Sequence, residues 1–349
     1  MKPIRILLTT VGCPGGVTMI RALKEHGERP VEIIGTDMNP HAAGRFFSDA
    51  FYPVPAGNDP AYPDTILHIA RKEKVDLILP QSSSDVMPLS PLREDFRQAG
   101  FPIMIPKTES AIPCNSKSAM NTFFEESLVP LPETRTVNTV EAFRKAALDL
   151  GYPHKRVCFK PAVSKGSRGF RILEAGTDRL NMLLQKRIED TTFTLEECEE
   201  ILGQTPRFPD LLVSEFLEGI EITVDCYCQN GEVLLSFTKT REAMKAGLAM
   251  FFRNQDAPEY MDYARDIVRR LQYDYFINIQ FKGGKLMEIN PRVSTFVHQE
   301  NFNIPWAGVK HELGLISHED LAVMQKNFRT TRQSVRYYDQ VFYDSEDLE

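Results

Sequence analysis

The sequence predicts an α/β chain, with an N-terminal parallel-sheet domain followed by an α+β region rich in antiparallel hairpins. Two stretches carry that reading. Residues 4–9 and 31–36 are short apolar strands on either side of the glycine turn Gly12-Cys13-Pro14-Gly15-Gly16 and a helical spacing of Met19, Ile20 and Leu23, which together make a βαβ unit. Far downstream, residues 276–292 alternate apolar and polar side chains around Gly283-Gly284, the pattern of a two-faced hairpin. A chain of 349 residues has room for two or three domains with their own cores.

Composition removes several function classes. The net charge of −7 and a pI near 5.6 leave no global basic surface for nucleic acid or an anionic membrane. The six cysteines are scattered; Cys226 and Cys228 share one strand face and read as packed thiols, which suits a reducing compartment. Residues 1–5 lead straight into a strand without a signal-peptide pattern, and no apolar run is long enough to span a bilayer. The expectation is a cytoplasmic protein whose partners are small molecules.

Taken in order, the glycine turn and Asp37 after the second strand occur as in nucleotide-binding Rossmann folds, although the spacing departs from G-x-G-x-x-G. A helix around 65–72 and strands at 75–79 and 103–105 complete a small parallel sheet. Ser82-Ser83-Ser84-Asp85 follows a strand's carboxyl end, where such sheets bind ligands, and reads equally as a helix cap. A boundary falls near 106–113. Asn115-Ser116 caps a helix striped by Met120, Phe123, Phe124 and Leu128, so Lys117 stands in a first turn that disfavours a cation unless an anion approaches; a plain surface lysine is the alternative.

A helix at 141–150 and a strand at 157–160 run into Ser164-Lys165-Gly166-Ser167-Arg168-Gly169, whose glycines, hydroxyls and cations suit an anion cradle or an ordinary hairpin loop. The polar segment 177–203 is read as helical. A strand at 211–216 ends in Glu215-Phe216-Leu217-Glu218-Gly219, and 221–228 pairs through Asn230-Gly231 with 233–238. Thr238-Lys239-Thr240-Arg241, with Lys245, reads as a basic loop, solvated by default but suited to an anionic substrate group. Residues 258–271 form an amphipathic helix, 306–315 another, and 335–343 a late strand before a frayed acidic tail.

In the 276–292 hairpin, a two-residue loop sets Gln280 opposite Met287, so the sequence favours a three-residue loop, Lys282-Gly283-Gly284, pairing Phe281 with Lys285. One face then collects Asn278, Gln280, Glu288 and Asn290. Oxygen donors with one full negative charge suit Mg2+, and Arg292 on the same side suggests phosphate; a solvated polar face is the alternative.

In this order the pieces resemble the ATP-grasp superfamily over nearly the whole chain, most closely short single-unit carboxylate-amine ligases like the carbamoyl phosphate synthase large subunit. The quoted motifs are the N-x-K helix, the K-P strand with its glycine loop, E-F-L-E-G-I-E, and N-I-Q followed by E-I-N-P-R. The resemblance implies a Rossmann-like pre-ATP-grasp domain at 1–112 and a two-lobed ATP-grasp region at 113–349, with 131–216 as a mobile lid and 217–349 as the metal and substrate lobe. It implies ATP and Mg2+, with Mn2+ as a substitute. Lys117 and Lys160 look like the phosphate-binding cations, and Ser164, Lys165, Gly166 and Ser167 like the loop over the phosphates. Glu215, Phe216 and Leu217 look like the adenine hinge and Glu221 like the ribose carboxylate. Gln280, Glu288 and Asn290 match the metal ligands, and Arg292 the arginine at the transferred phosphoryl, with Lys160 and Arg241 also assigned to catalysis. That relative has two such units where this chain has room for one, and Gln280 stands where many members carry an acid.

The implied reaction activates a carboxylate as an acyl phosphate and joins it to an amine, releasing ADP and phosphate. Arg241, Lys245, Ser294, Thr295 and His298 are the candidates for gripping substrates, with a structural role as the alternative for His298. The rival readings are a bicarbonate-activating carboxylase or carbamoyl-type enzyme, a non-catalytic nucleotide-binding protein, and an NAD-dependent oxidoreductase resting on residues 12–37 alone. A homodimer is compatible with the resemblance.

Overall fold

The computed structural model describes residues 2–162, 169–176, 178–185, 191–245, 248–294 and 297–344. Its N-terminal sheet contains β1 (Ile4–Leu8), β2 (Val31–Asp37), β3 (Ala50–Pro53) and β4 (Leu77–Leu79), all parallel, in the order β3-β2-β1-β4. The strand expected at 103–105 reduces to a single bridge between Ile78 and Ile103. Pro102 and Pro106 bracket it, and proline cannot donate to a ladder. The helix Gly16–Lys24 buries Met19, Ile20 and Leu23 as the spacing predicts. A Cβ on Gly16 would lie 2.0 Å from the Val11 carbonyl oxygen, so only glycine lets this helix start so close to the end of β1.

A second sheet holds β5 (Thr134–Val137), β6 (Val157–Pro161), β7 (Arg171–Leu173), β8 (Thr192–Phe193) and β9 (Leu211–Glu215), ordered β5-β9-β6-β7-β8. It has its own core around Phe143, Val157, Leu173 and Val213. The segment read as helical through 177–203 contains the helices Arg179–Gln185 and Leu195–Leu202 with β8 between them.

The third sheet is antiparallel throughout, with β10 (Glu221–Gln229), β11 (Glu232–Lys245), β12 (Leu248–Gln255), β13 (Tyr275–Lys282), β14 (Lys285–Asn290) and β15 (Gln333–Val335) ordered β14-β13-β10-β11-β12-β15. The expected basic loop at 238–241 is instead the middle of β11. Lys239 interrupts the apolar alternation there, yet it is buried against Asp225, an ion pair that residue pattern alone does not reveal. The strand expected at 335–343 does not form: β15 lies before it and shares only Val335 with it, and Tyr337, Tyr338 and Phe342 are exposed.

One face of this sheet is apolar. Ile277, Ile279, Phe281, Leu286 and Ile289 pack on Ala264, Ile267, Val268 and Leu271 of the helix Pro258–Leu271 and on Met120 and Phe124 of the helix Lys117–Phe124. Each such fully buried side chain contributes about 1.5–3 kcal/mol, so the hairpin's orientation is strongly fixed. Of the other two residues expected on that stripe, Leu128 is exposed because the helix ends at Phe124, and Phe123, still within the helix, lies off the face that buries Met120 and Phe124. The helix Ile304–Glu312 joins the third sheet to the N-terminal domain: Trp306 stacks on His26 at 3.9 Å, and the Asn303 side chain donates to the Ala22 carbonyl at 2.7 Å.

Candidate functional site

The site is built on the other, polar face of the third sheet. At the tip of the β13–β14 hairpin, Gly283 and Gly284 have φ of 56° and 78°, the two left-handed residues of a tight two-residue turn. Lys282 therefore pairs with Lys285 and Phe281 with Leu286, which corrects the three-residue loop. A bulge absorbs Met287 as an extra residue, and Gln280 then pairs with Glu288 and Asn278 with Asn290. The expected collection of these four residues on one face survives through a different register: Leu286 replaces Met287 on the core side, and Met287 faces the site cavity.

β10 and β11 extend this face. Asp225 lies opposite Asn278, Thr223 opposite Gln280, and Glu221 opposite Arg241. Lys239 donates to Asp225, and Asn278 Nδ2 donates to the other Asp225 oxygen at 2.9 Å. Asn278 Oδ1 in turn accepts Gln280 Nε2 at 2.9 Å and Asn290 Nδ2 at 3.5 Å. With their NH2 groups engaged by Asn278, Gln280 and Asn290 keep their carbonyl oxygens for the cavity. Burial pulls the Lys239 ammonium below its usual value while Asp225 pulls it up, as for an ion pair taken out of water.

The cations approach from neighbouring elements. Lys117 opens its helix as expected, after the Ser116 cap accepts the Ala119 N–H at 3.1 Å. Lys160, on β6, is held below its ordinary value first by burial and then by Lys117, against the opposing pull of Glu288. Cys158, on the same strand face, is pushed to about 11 by burial, although Lys117, Lys282 and Lys160 all pull it down. These groups therefore share one field. Burial likewise raises Glu221 despite its ion pair with Arg241.

A cavity of ≈ 950 Å³ is lined by Glu221, Arg241, Gln280, Glu288, Asn290 and Arg292 on one side and by Ser82, Ser83 and Ser84 on the other. All three serines line the cavity, and Ser82 caps its helix by accepting the Ser84 N–H at 3.1 Å, which is the cap reading of this segment. Lys117, Lys160, Glu215, Phe216 and Leu217 are not in that lining. The Glu215 carboxylate accepts from the Lys285 ammonium and, at 2.7 Å, from the Glu133 N–H; it ties the second sheet to the hairpin. Phe216 has Arg156 over its ring at 4.4 Å and Lys282 at 5.2 Å. Ser164, Lys165, Gly166, Ser167 and Thr295 lie outside the described residues.

Two of the expected substrate grips are elsewhere. Lys245 sits over the exposed Tyr338 ring at 4.7 Å, and His298 lines a separate cleft with Glu25 and His26. Chain direction carries each past the site after Arg241 and Ser294 have faced it. A smaller adjoining cavity of ≈ 190 Å³, lined by Arg241, Gln280, Arg292 and Ser294, also takes in Cys13, Gln81, Lys239 and Arg336. Sequence reading passed over Arg336 because only the β12–β15 pairing brings it here. Asp37 is spent locally: its two oxygens accept the Gly12 N–H at 2.7 Å and the Asn39 N–H at 2.9 Å.

Among the described residues no three His, Cys, Asp or Glu side chains cluster as a metal site. The donor set on the hairpin is one carboxylate and two amide oxygens. That set fits a hard divalent cation which keeps water or phosphate oxygens in its other positions, and it does not fit zinc.

Residues 207–335 match the family described as ATP-grasp in the biosynthetic pathway with Ter operon, and residues 6–104 match the PylC-like N-terminal domain. The carbamoyl phosphate synthase large chain of Lachnoclostridium phytofermentans is 23% identical over 285 residues, 74% of this chain. The chain spans about a quarter of that relative's length, 25%. N5-carboxyaminoimidazole synthetase from Staphylococcus aureus, solved with ADP, superposes with a TM-score of 0.62 at 11% identity, covering 89% of this chain and 77% of that one. The biotin carboxylase domain dimer of 2-oxoglutarate carboxylase from Hydrogenobacter thermophilus, solved with MgADP, ADP and bicarbonate, gives 0.60 at 16% identity, covering 92% and 72%. At these identities the two structures establish a common fold. Among the described residues no helix is long and apolar enough to cross a membrane.

Proposed function

We propose, from the premise that the chain carries an ATP-grasp domain behind a PylC-like N-terminal domain, that it is an ATP-dependent, ADP-forming carboxylate-amine ligase. The observation that carries this reading is the polar sheet face, where Gln280, Glu288 and Asn290 turn oxygens into the cavity that Arg292 also lines. Gln280, Glu288 and Asn290 would hold Mg2+, or Mn2+ in its place, which neutralises phosphate charge when bound. Lys117 and Lys160 grip the phosphates, Ser164, Lys165, Gly166 and Ser167 cover them, and Glu215, Phe216, Leu217 and Glu221 hold the nucleoside. Residues 131–216 act as the lid.

A carboxylate oxygen of the substrate attacks the γ-phosphorus of ATP in line, the bond to the β-phosphate oxygen breaks, and ADP leaves. Arg292 stabilises charge on the transferring phosphoryl group, and Lys160 and Arg241 hold the reacting groups in register. The amine nitrogen then adds to the acyl carbon, phosphate departs and the nitrogen loses a proton. No nucleophile from the protein is needed. A cytoplasmic homodimer is the assembly we favour.

Hydroxylamine traps an acyl phosphate as a hydroxamate without the natural amine. ADP release with Mg-ATP and hydroxylamine, screened over carboxylic acids, is expected to give a hydroxamate from one acid in the wild type and none in Glu288→Gln. ADP release that no acid or bicarbonate stimulates would count against the ligase. In a second reading bicarbonate is the acid activated, which the relation to the carbamoyl phosphate synthase large chain and the bicarbonate bound by the biotin carboxylase domain favour. Bicarbonate-stimulated ADP release without hydroxamate from any organic acid selects it.

A further inference from the structure

We infer that the carboxylate this ligase activates belongs to a small acid with a second anionic group, both held in the ≈ 190 Å³ cavity between the glycine turn of the N-terminal domain and the third sheet. The inference rests on the ligase reading and adds the substrate class. Lys239, Arg241, Arg292 and Arg336 line this cavity, and among the described residues no Asp or Glu does. The carboxylates that balance Lys239 and Arg241, Asp225 and Glu221, stand outside that lining.

Asp225 and Glu221 offset two of these four charges, and cations held this close together still favour an anion placed between them. Burial, and then Arg241, pull the Arg336 guanidinium below its ordinary value, as for a cation held out of water beside another. Guanidinium forks match carboxylate and phosphate alike, so either is a suitable second group.

The remaining wall limits the rest of the ligand. Met19, Leu248, Ala249, Phe252 and Val293 are apolar and suit a short hydrocarbon stem between the two anionic ends. The volume is a fifth of that of the adjoining cavity, 190 against 950 Å³, which suits a small acid, while the larger space holds the metal face of Glu288 and Asn290 where the transferring phosphoryl group would arrive. Gln280, Arg241 and Arg292 line both cavities, which brings the acid beside the metal face where its carboxylate would react.

The test is isothermal titration of the full chain, with and without saturating Mg-AMP-PNP. The ligands are the three- to six-carbon dicarboxylates, phosphoglycolate and 3-phosphoglycerate, set against monocarboxylates of the same chain length. At least one dianionic acid is expected to bind about 10-fold or more tightly than its monoanionic counterpart, with nucleotide present. Whether a dicarboxylate or a phosphorylated acid leads identifies the second group. Arg336→Gln should bring the preference to within about threefold. Thr18→Glu, which adds a carboxylate to the lining from an exposed helical position, should do the same without touching the core.

Equal affinity for dianions and monoanions, displacement of the acid by Mg-AMP-PNP, or an unchanged preference in both variants would overturn the inference. Mg-AMP-PNP binding is read on the same samples. Nucleotide binding without dianion preference removes this inference and leaves the ligase standing, whereas absence of nucleotide binding removes the ligase itself.

Discussion

Asp37 and Glu288 are both acids beside a glycine turn, and the fold uses them in opposite ways. Asp37 is buried, and both its oxygens receive backbone N–H groups, from Gly12 and Asn39. Glu288 is exposed in the large cavity, accepts no hydrogen bond from the described residues and lies in the field of Lys160. An acid whose acceptors are filled by its own backbone holds a turn together. An acid with cations nearby and empty acceptors is left for a ligand. Asp225 is a third case: fully engaged by Lys239 and Asn278, it supports the amides that flank Glu288.

The largest effect expected from this contrast is at Asp225. Asp225→Ala strands the Lys239 ammonium, which is 1% exposed, and should cost about 3–5 kcal/mol in denaturant unfolding. A loss under about 1 kcal/mol would mean that the ion pair is not buried as described. Glu288→Gln should leave unfolding unchanged within about 0.5 kcal/mol, because its side chain supports no packing. It should slow ADP release by about 100-fold or more, read in a coupled assay. Asp37→Ala should show the reverse pattern: about 1–3 kcal/mol of stability lost through the orphaned Gly12 and Asn39 N–H groups, with ATP-analogue affinity within about threefold of wild type. A large loss of nucleotide affinity there would return the N-terminal turn to the list of nucleotide sites.

The smallest effect is a pH dependence. Burial and Lys117 hold Lys160 below its ordinary 10.5, and bound phosphates favour its charged form. The protonated lysine is the binding form, so affinity for Mg-AMP-PNP should be full at about pH 7 and fall as pH rises through the depressed Lys160 value. In Lys160→Arg the fall should move upward, because guanidinium stays charged. Fluorescence titration across that range reads the difference, and coincident profiles would remove Lys160 from the phosphate site.

What was legible in the sequence follows the same division. The polar hairpin face could be read because alternation is a local property, and it survived an error of register that a bulge at Met287 repaired. The N-cap at Ser116 and the Asn230-Gly231 turn were legible for the same reason, each being set by residues a few positions apart. Lys239 reads in sequence as part of a basic loop, solvated or facing an anionic group, because its counter-charge sits on β10 and only strand pairing brings the two together. Arg336 escaped notice as a site residue, because it reaches the cavity through an edge strand closed from the far end of the chain. Asn278 was read among the oxygen donors of the hairpin face, but its oxygen accepts from Gln280 and Asn290, so it turns two amides instead of facing a ligand.

The most direct measurement is nucleotide-dependent Mn2+ binding, followed by electron paramagnetic resonance on wild type, Glu288→Gln and Asp37→Asn. The account predicts a tight Mn2+ site that forms only with ADP or ATP, is lost in Glu288→Gln and is retained in Asp37→Asn. Undiminished Mn2+ binding in Glu288→Gln, or its loss in Asp37→Asn, would contradict the assignment of the hairpin face as the metal site.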